Sequence, residues 1–163
     1  FNTRYIVTDN RVWFGGGMDI TPYVDDLELV GWYHDQLRAM CDTYDPQLYT
    51  QLSKKCDDYF YLPHRNEHRG AGGIFFDYQD NGFDKDFEFV QDVGKTFCSI
   101  MKHLISTTRY ADFTDEDKEA QLIKRGRYAE FNLLYDRGTR FGLQSGGNVD
   151  AIMMSLPPNC KWP

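Results

Sequence analysis

The sequence predicts an α+β fold, an antiparallel sheet covered by helices. Three observations point there. Strand-like runs follow one another as hairpins do, amphipathic helical stretches come in pairs, and strict strand–helix–strand alternation is absent. No repeat, low-complexity tract or Pro/Ser-rich linker divides the 163 residues, so residues 1–163 read as a single domain.

Arg4 to Thr8 (RYIVT) and Arg11 to Phe14 (RVWF) read as two short strands joined by the turn pair Asp9-Asn10. Gly15-Gly16-Gly17 then either ends the second strand or lets the backbone approach something closely. Asp25 to Cys41 reads as helix, with two acids at its start and Val30, Tyr33, Leu37 and Met40 at helical spacing. A second helix follows Asp45-Pro46, with Leu48, Leu52, Cys56 and Tyr59 on one face. Gly72 to Tyr78 reads as a strand. Phe83 to Ile105 is the clearest helix, with apolar residues every three or four positions, Cys98 packing among them. Thr114 caps a further helix that runs to Arg125 and stops at Gly126. Tyr128 to Tyr135 (YAEFNLLY) reads as a strand with Glu130 and Asn132 on one face, and Val149 to Leu156 as a last strand ended by Pro157-Pro158.

Composition narrows the function. Lys plus Arg is 18 and Asp plus Glu is 25, a formal charge of −7, which argues against affinity for nucleic acid or an anionic membrane. An apolar share of 41% supports a core, and no apolar run approaches the roughly 20 residues of a membrane span. Aromatics reach 16%, enough both for a core of large side chains and for flat surfaces that suit a flat ligand. The four cysteines form no CxxC pair, so a zinc site is not expected and a reducing, intracellular compartment is the simplest reading.

Four segments are more polar than a plain connecting loop needs to be. Gly15 to Pro22 brings three glycines, Asp19 and a proline turn. His64 to Gly73 puts five ionisable side chains in six residues and leads straight into Ile74-Phe75-Phe76. Its Gly70-Ala71-Gly72 is a poor dinucleotide motif, because a strand follows it, and the pyrophosphate needs a helix N-terminus. Lys124-Arg125-Gly126-Arg127 and Asp136-Arg137-Gly138-Thr139-Arg140 gather four arginines around one predicted strand. In a chain of net −7 these are either a local carboxylate site or internal ion pairs such as Arg127 with Glu130. Gly146-Gly147-Asn148 is a further small-residue approach loop. No Ser-His-Asp arrangement, P-loop, HExxH or flavin fingerprint appears. The residues alone describe a polycarboxylate-binding α+β domain without naming a reaction.

At these segments the chain closely resembles oxygen-dependent coproporphyrinogen-III oxidase. The matching runs are Trp13 to Pro22, Cys56 to Glu67, Arg69 to Asp77, Arg125 to Leu143 and Met153 to Pro158, in order along nearly the whole chain. The resemblance implies a large antiparallel sheet covered by helices on both faces. It implies an enzyme that oxidatively decarboxylates two propionates of coproporphyrinogen III to vinyl groups, giving protoporphyrinogen IX in haem biosynthesis. O₂ is the co-substrate, and CO₂ and peroxide are released. No redox cofactor is required, which suits an electron-rich reduced pyrrole that reacts with O₂ once its N–H proton is removed.

By the same resemblance Asp136, Arg137, Asp19 and Arg69 are catalytic positions. Asn2, Thr3 and Arg4, with Gly146, Gly147 and Asn148, are substrate contacts, Asn148 standing where an arginine is frequent. Asp136 or Asp19 takes the pyrrole N–H proton, and Arg4, Arg69 and Arg137 hold carboxylates. Some bacterial members resemble a metal-assisted version, whose histidine ligands fall on His34 and His64. Here a helix-surface His34 and a loop His64 are the preferred reading. The resemblance also implies a homodimer built around the last third of the chain. It implies a cytoplasmic location in some lineages and the mitochondrial intermembrane space or plastid in others. Measured against the family, the chain is expected to lack an N-terminal portion, which carries a proton-donor histidine, and a C-terminal helix after Trp162.

Two rival readings stand beside it. One is a non-catalytic tetrapyrrole or polycarboxylate carrier on the same fold. The other is a metal hydrolase using His64, Glu67 and His68, whose spacing resembles an inverted zinc motif but whose flanking Pro63 and Gly70 deny it a helix.

Overall fold

In the computed structural model, which describes residues 1–23 and 26–162, the elements in chain order are β1 (Asn2–Val7), β2 (Val12–Asp19), α1 (Leu27–Asp42), α2 (Leu48–Phe60), β3 (Tyr61–Leu62), β4 (Glu67–His68), β5 (Gly73–Gln79), α3 (Phe83–Thr108), α4 (Asp115–Leu134), α5 (Arg137–Gln144) and α6 (Val149–Met153). The fold is α+β, and its strands pair antiparallel in the order β1-β2-β5, with β3 and β4 forming a small separate hairpin. No helix among the described residues is long and apolar enough to cross a membrane. The chain divides into two units. The first comprises Phe1–Pro22, Asp26–Tyr61 and Gly70–Ala111, and the second is built chiefly of Leu62–Arg69 and Asp112–Pro163.

The first unit follows its sequence pattern closely. β2 continues beyond the predicted strand end through all three glycines to Asp19, because each glycine has a paired partner in β1: Gly15 with Arg4, Gly16 with Thr3 and Gly17 with Asn2. One face of the sheet carries Phe14, Met18, Ile74 and Phe76. It packs with Tyr33 and Leu37 of α1, Leu52 of α2 and Phe89, Val90 and Val93 of α3 into one core. Fully buried side chains such as Phe76 and Leu37 each contribute about 1.5–3 kcal/mol relative to exposure. Asp26 caps α1, its carboxylate accepting from Leu29 N–H at 2.8 Å; Asp25, the other acid at the predicted start, lies outside the described residues. Cys98 is exposed rather than packed, since the α3 stripe turns its neighbours inward and leaves it on the outer side.

The second unit departs from the sequence reading in two places. Thr114 opens α4 with a capping box, its hydroxyl accepting from Asp117 N–H and the Asp117 carboxylate accepting from Thr114 N–H. The helix then runs past Gly126 to Leu134, so residues 128–135 are helical up to Leu134 rather than a strand. Gly126 is not a stop. It is buried, and a Cβ there would collide with the carbonyl oxygen of Lys161, whose own N–H donates to Leu122 O at 3.0 Å. It is a crossing point for the C-terminal segment. The run YAEFNLLY is apolar enough to satisfy a period of two or of 3.6, and the cap upstream decides between them. Residues 149–156 are not a strand either: Asn148 caps the short helix α6, its amide oxygen accepting from Asp150 N–H at 3.0 Å and Ala151 N–H at 3.3 Å.

Candidate functional site

Strand alternation sorts the predicted contacts of the first unit. Asn2 and Arg4 of β1 and Asp19 of β2 share the sheet face opposite the core, together with Trp13, Phe75 and Asp77. Thr3, between Asn2 and Arg4, belongs to the other face. Gly15 and Gly17 leave the middle of this polar face without side chains, and Tyr59 stacks on Phe75 at its side, ring centroids 4.4 Å apart and planes 9° from parallel.

Arg4 reaches across that floor. Its guanidinium pairs with Asp77 at 3.2 Å, donates to Asn2 Oδ1 at 3.2 Å and lies over the Phe75 ring at 5.7 Å. Trp13 Nε1 donates to the same Asp77 carboxylate at 3.2 Å. A Cβ on Gly15 would stand 2.7 Å from both Arg4 Nε and Asp77 Oδ1, so the pair passes through the notch that this glycine leaves. Asp77 carries no assigned role in the sequence reading. The one sign of it there is a carboxylate ending the apolar run Ile74-Phe75-Phe76.

Asp19 ends β2 opposite Gly73. Beneath it the fully buried Tyr33 donates its hydroxyl to Met18 O at 3.1 Å, and burial, with the nearby Asp19 charge, pushes that hydroxyl far above its ordinary range. His34 donates from Nε2 to Ala71 O at 2.8 Å, and Nδ1 meets the Tyr49 hydroxyl at 2.9 Å. A carbonyl only accepts, so Nε2 carries a proton. A metal at His34 would have to break one of these bonds.

In the second unit Glu130 organises a cluster of polar contacts; the sequence reading placed it on one face with Asn132 and offered an ion pair with Arg127. Its carboxylate, a tenth exposed, accepts from Arg65 at 2.6 and 3.1 Å, from His64 Nε2 at 2.8 Å and from Trp162 Nε1 at 2.7 Å, with Arg127 at 3.5 Å. Arg65 above all, then His64 and Trp162, hold this carboxyl down at about 2 against the opposing effect of burial. His64 Nδ1 meets the Tyr135 hydroxyl at 2.8 Å, so both of its ring nitrogens are engaged too. The described residues hold no group of three or more metal-ligating side chains placed for a metal ion. Neither histidine fits a metal as it stands. Glu67 pairs with Arg127, and the hairpin β3–β4 brackets the His64–His68 run, so the helix a zinc motif needs is missing.

Arg69 is buried, its guanidinium 5.1 Å from the Tyr128 ring and 5.2 Å from Phe131. Asp136 caps α5, one carboxylate oxygen accepting from Thr139 N–H at 2.6 Å, and Arg137 opens that helix. Gly146, Gly147 and Asn148 are exposed in the turn between α5 and α6.

The first unit thus presents a sheet face with a bare glycine floor, one cation held in place, one carboxylate at the rim and aromatic flanks. This is the outline of an α+β protein with a polar, aromatic-flanked sheet face that carries a guanidinium. Comparison with known proteins agrees with that class and narrows it. The family model described as Coproporphyrinogen III oxidase matches residues 1–163, and the chain belongs to that family. It is 53% identical over 163 residues to the oxygen-dependent coproporphyrinogen-III oxidases of Rickettsia bellii (strain OSU 85-389) and Rickettsia rickettsii (strain Sheila Smith), and 52% identical to that of Rickettsia akari (strain Hartford). In each case 99% of this chain is covered, and the chain spans 58% of the relative's length.

Proposed function

We propose that the protein to which this chain belongs is an oxygen-dependent coproporphyrinogen-III oxidase. The observation that carries the reading is the family match over residues 1–163 together with relatives of that name at 53% identity. For each propionate the step balances as R–CH₂CH₂COO⁻ + O₂ + H⁺ giving R–CH=CH₂ + CO₂ + H₂O₂. The two electrons released with CO₂ reduce O₂ to peroxide. Coproporphyrinogen III so treated on two rings is protoporphyrinogen IX, in haem biosynthesis.

Under this reading the reduced tetrapyrrole supplies its own electrons, and no resident redox cofactor is invoked. The protein binds carboxylates, takes a pyrrole N–H proton and excludes water. Arg4, with Asn2, meets a propionate on the sheet face. Asp19 is the base we favour over Asp136. Supporting this, one oxygen of the Asp136 carboxylate is already committed to the Thr139 N–H as the cap of α5, whereas Asp19 stands on the sheet face that carries Arg4 and Asn2. Arg69, Arg137, Gly146, Gly147 and Asn148 are proposed as further substrate contacts. We take the complete protein to be a homodimer in which the three-stranded sheet is part of a larger one covered by helices on both faces. By likeness to its bacterial relatives we take it to work in the cytoplasm.

The test is oxygen consumption by the full-length protein with coproporphyrinogen III, reading protoporphyrinogen IX and peroxide. Substrate bound without oxygen and converted only when air is admitted supports the oxidase. Binding without conversion in air overturns it in favour of a carrier.

A further inference from the structure

Asp77 sits on an irregular stretch of β5. Between the pairs Phe14–Gln79 and Gly16–Phe76, β2 advances two residues while β5 advances three, so β5 carries a bulge there. The bulge places Tyr78 at φ 56°, a conformation that costs a non-glycine residue on the order of 1–2 kcal/mol. Three contacts hold it: the Tyr78 N–H donates to Asp77 Oδ1 at 3.1 Å, its ring stacks on Trp13 at 5.3 Å, and the Arg11 guanidinium lies 5.1 Å from that ring. The result is that Asp77, a side chain 16% exposed, leans over the Gly15 notch to meet Arg4, which is 34% exposed. Backbone strain, a missing Cβ and the Trp13 indole N–H converge on one carboxylate that does not itself belong to the reaction.

We propose that Asp77 is a positioning residue, which locks the Arg4 guanidinium in the orientation that receives a substrate carboxylate. The inference rests on the oxidase reading above. Arg4 has five N–H donors on a long, mobile stem. Asp77 takes one edge of the guanidinium and Asn2 another terminal nitrogen, so the side chain is ordered before a ligand arrives. Losing Asp77 therefore weakens ligand capture and leaves the chemical step nearly intact.

The test is steady-state kinetics of the full-length protein with coproporphyrinogen III, alongside oxygen-free binding of the oxidised tetracarboxylate coproporphyrin III by fluorescence. Asp77→Ala should raise KM about tenfold with kcat within about twofold, and Asp77→Glu should recover most of the loss. Asp77→Asn keeps an oxygen for Trp13 and nearly the same volume, so it serves if the alanine variant does not fold; it should raise KM about threefold. On an Arg4→Ala background Asp77→Ala should add less than about twofold, because the two act as one unit. Independent, multiplying losses overturn the proposal, as does an unchanged KM. A fall in KM would mean that Asp77 competes with substrate for Arg4, and overturns it too. If the wild-type protein binds coproporphyrin but does not oxidise coproporphyrinogen, the oxidase reading fails, and the same variants in the binding arm still decide the role of Asp77.

Discussion

Two of the carboxylates that hold arginines in this chain do so in opposite ways. Glu130, in the second unit, is met by Arg65, His64, Trp162 and Arg127, so its acceptor sites are saturated by the protein itself. Asp77, on the sheet, pairs with an Arg4 that is a third exposed and stands on a floor of glycine. The first arrangement ties segments of chain together. The second holds a cation while leaving it in reach of a ligand. A count of charged residues does not separate them; what separates them is what lies beside the pair.

The sharpest way to break this comparison is at the base. Asp19→Asn should lower kcat of the full-length protein by about 10²–10⁴-fold if Asp19 accepts the proton. Asp136→Asn, which keeps a good capping group, should leave kcat within about tenfold. Rapid-quench or oxygen-electrode rates check both, and the reverse ranking would move the base to Asp136. The next largest effect is on stability. Gly126→Ala in a helix ordinarily gains about 1 kcal/mol from propensity, but here the Cβ meets the Lys161 carbonyl, and a net loss of about 1–3 kcal/mol is expected in urea denaturation. A gain would mean that the C-terminal segment does not cross α4 there.

A pH titration sharpens the Glu130 side. Its carboxyl is held at about 2 in the folded chain, below the ordinary glutamate value of 4.5, so the unfolded chain binds the proton more readily. The stabilisation is complete above the unfolded value and is lost as pH falls from about 4.5 toward 2. Glu130→Gln should flatten the part of the acid-denaturation curve in that window, measured by circular dichroism. The smallest effect expected is at the α6 cap: Asn148→Ala should cost about 0.5–1 kcal/mol and leave the sheet's melting behaviour unchanged.

The same two regions differ in how openly the sequence announces them. In the first unit, strand pairs, glycine runs and the long stripe of α3 each obey one periodicity, and the elements fall where that periodicity puts them. Asn2, Arg4 and Asp19 come to share a face through register alone. Asp77 escapes a linear reading because its importance depends on a bulge and on a Cβ missing from another strand. In the second unit, Gly126 looks like a helix stop and is a crossing point, while Asp136 and Asn148, expected as site residues, also serve as helix caps. Glycine, aspartate and asparagine each have a local backbone use as well as a chemical one, and only tertiary neighbours decide which applies.

The span of the Arg4–Asp77 link has a mechanical consequence. β1 stands at one end of the β1-β2-β5 order, and its arginine grips β5, two strands away, over the top of β2. Neighbouring strands lie about 4.8 Å apart, so the link bridges roughly 10 Å of backbone and straps the rim of the sheet to its far side. Salt that screens the strap should set β1 fraying ahead of its neighbours, and the ligand's grip would slacken at the same time.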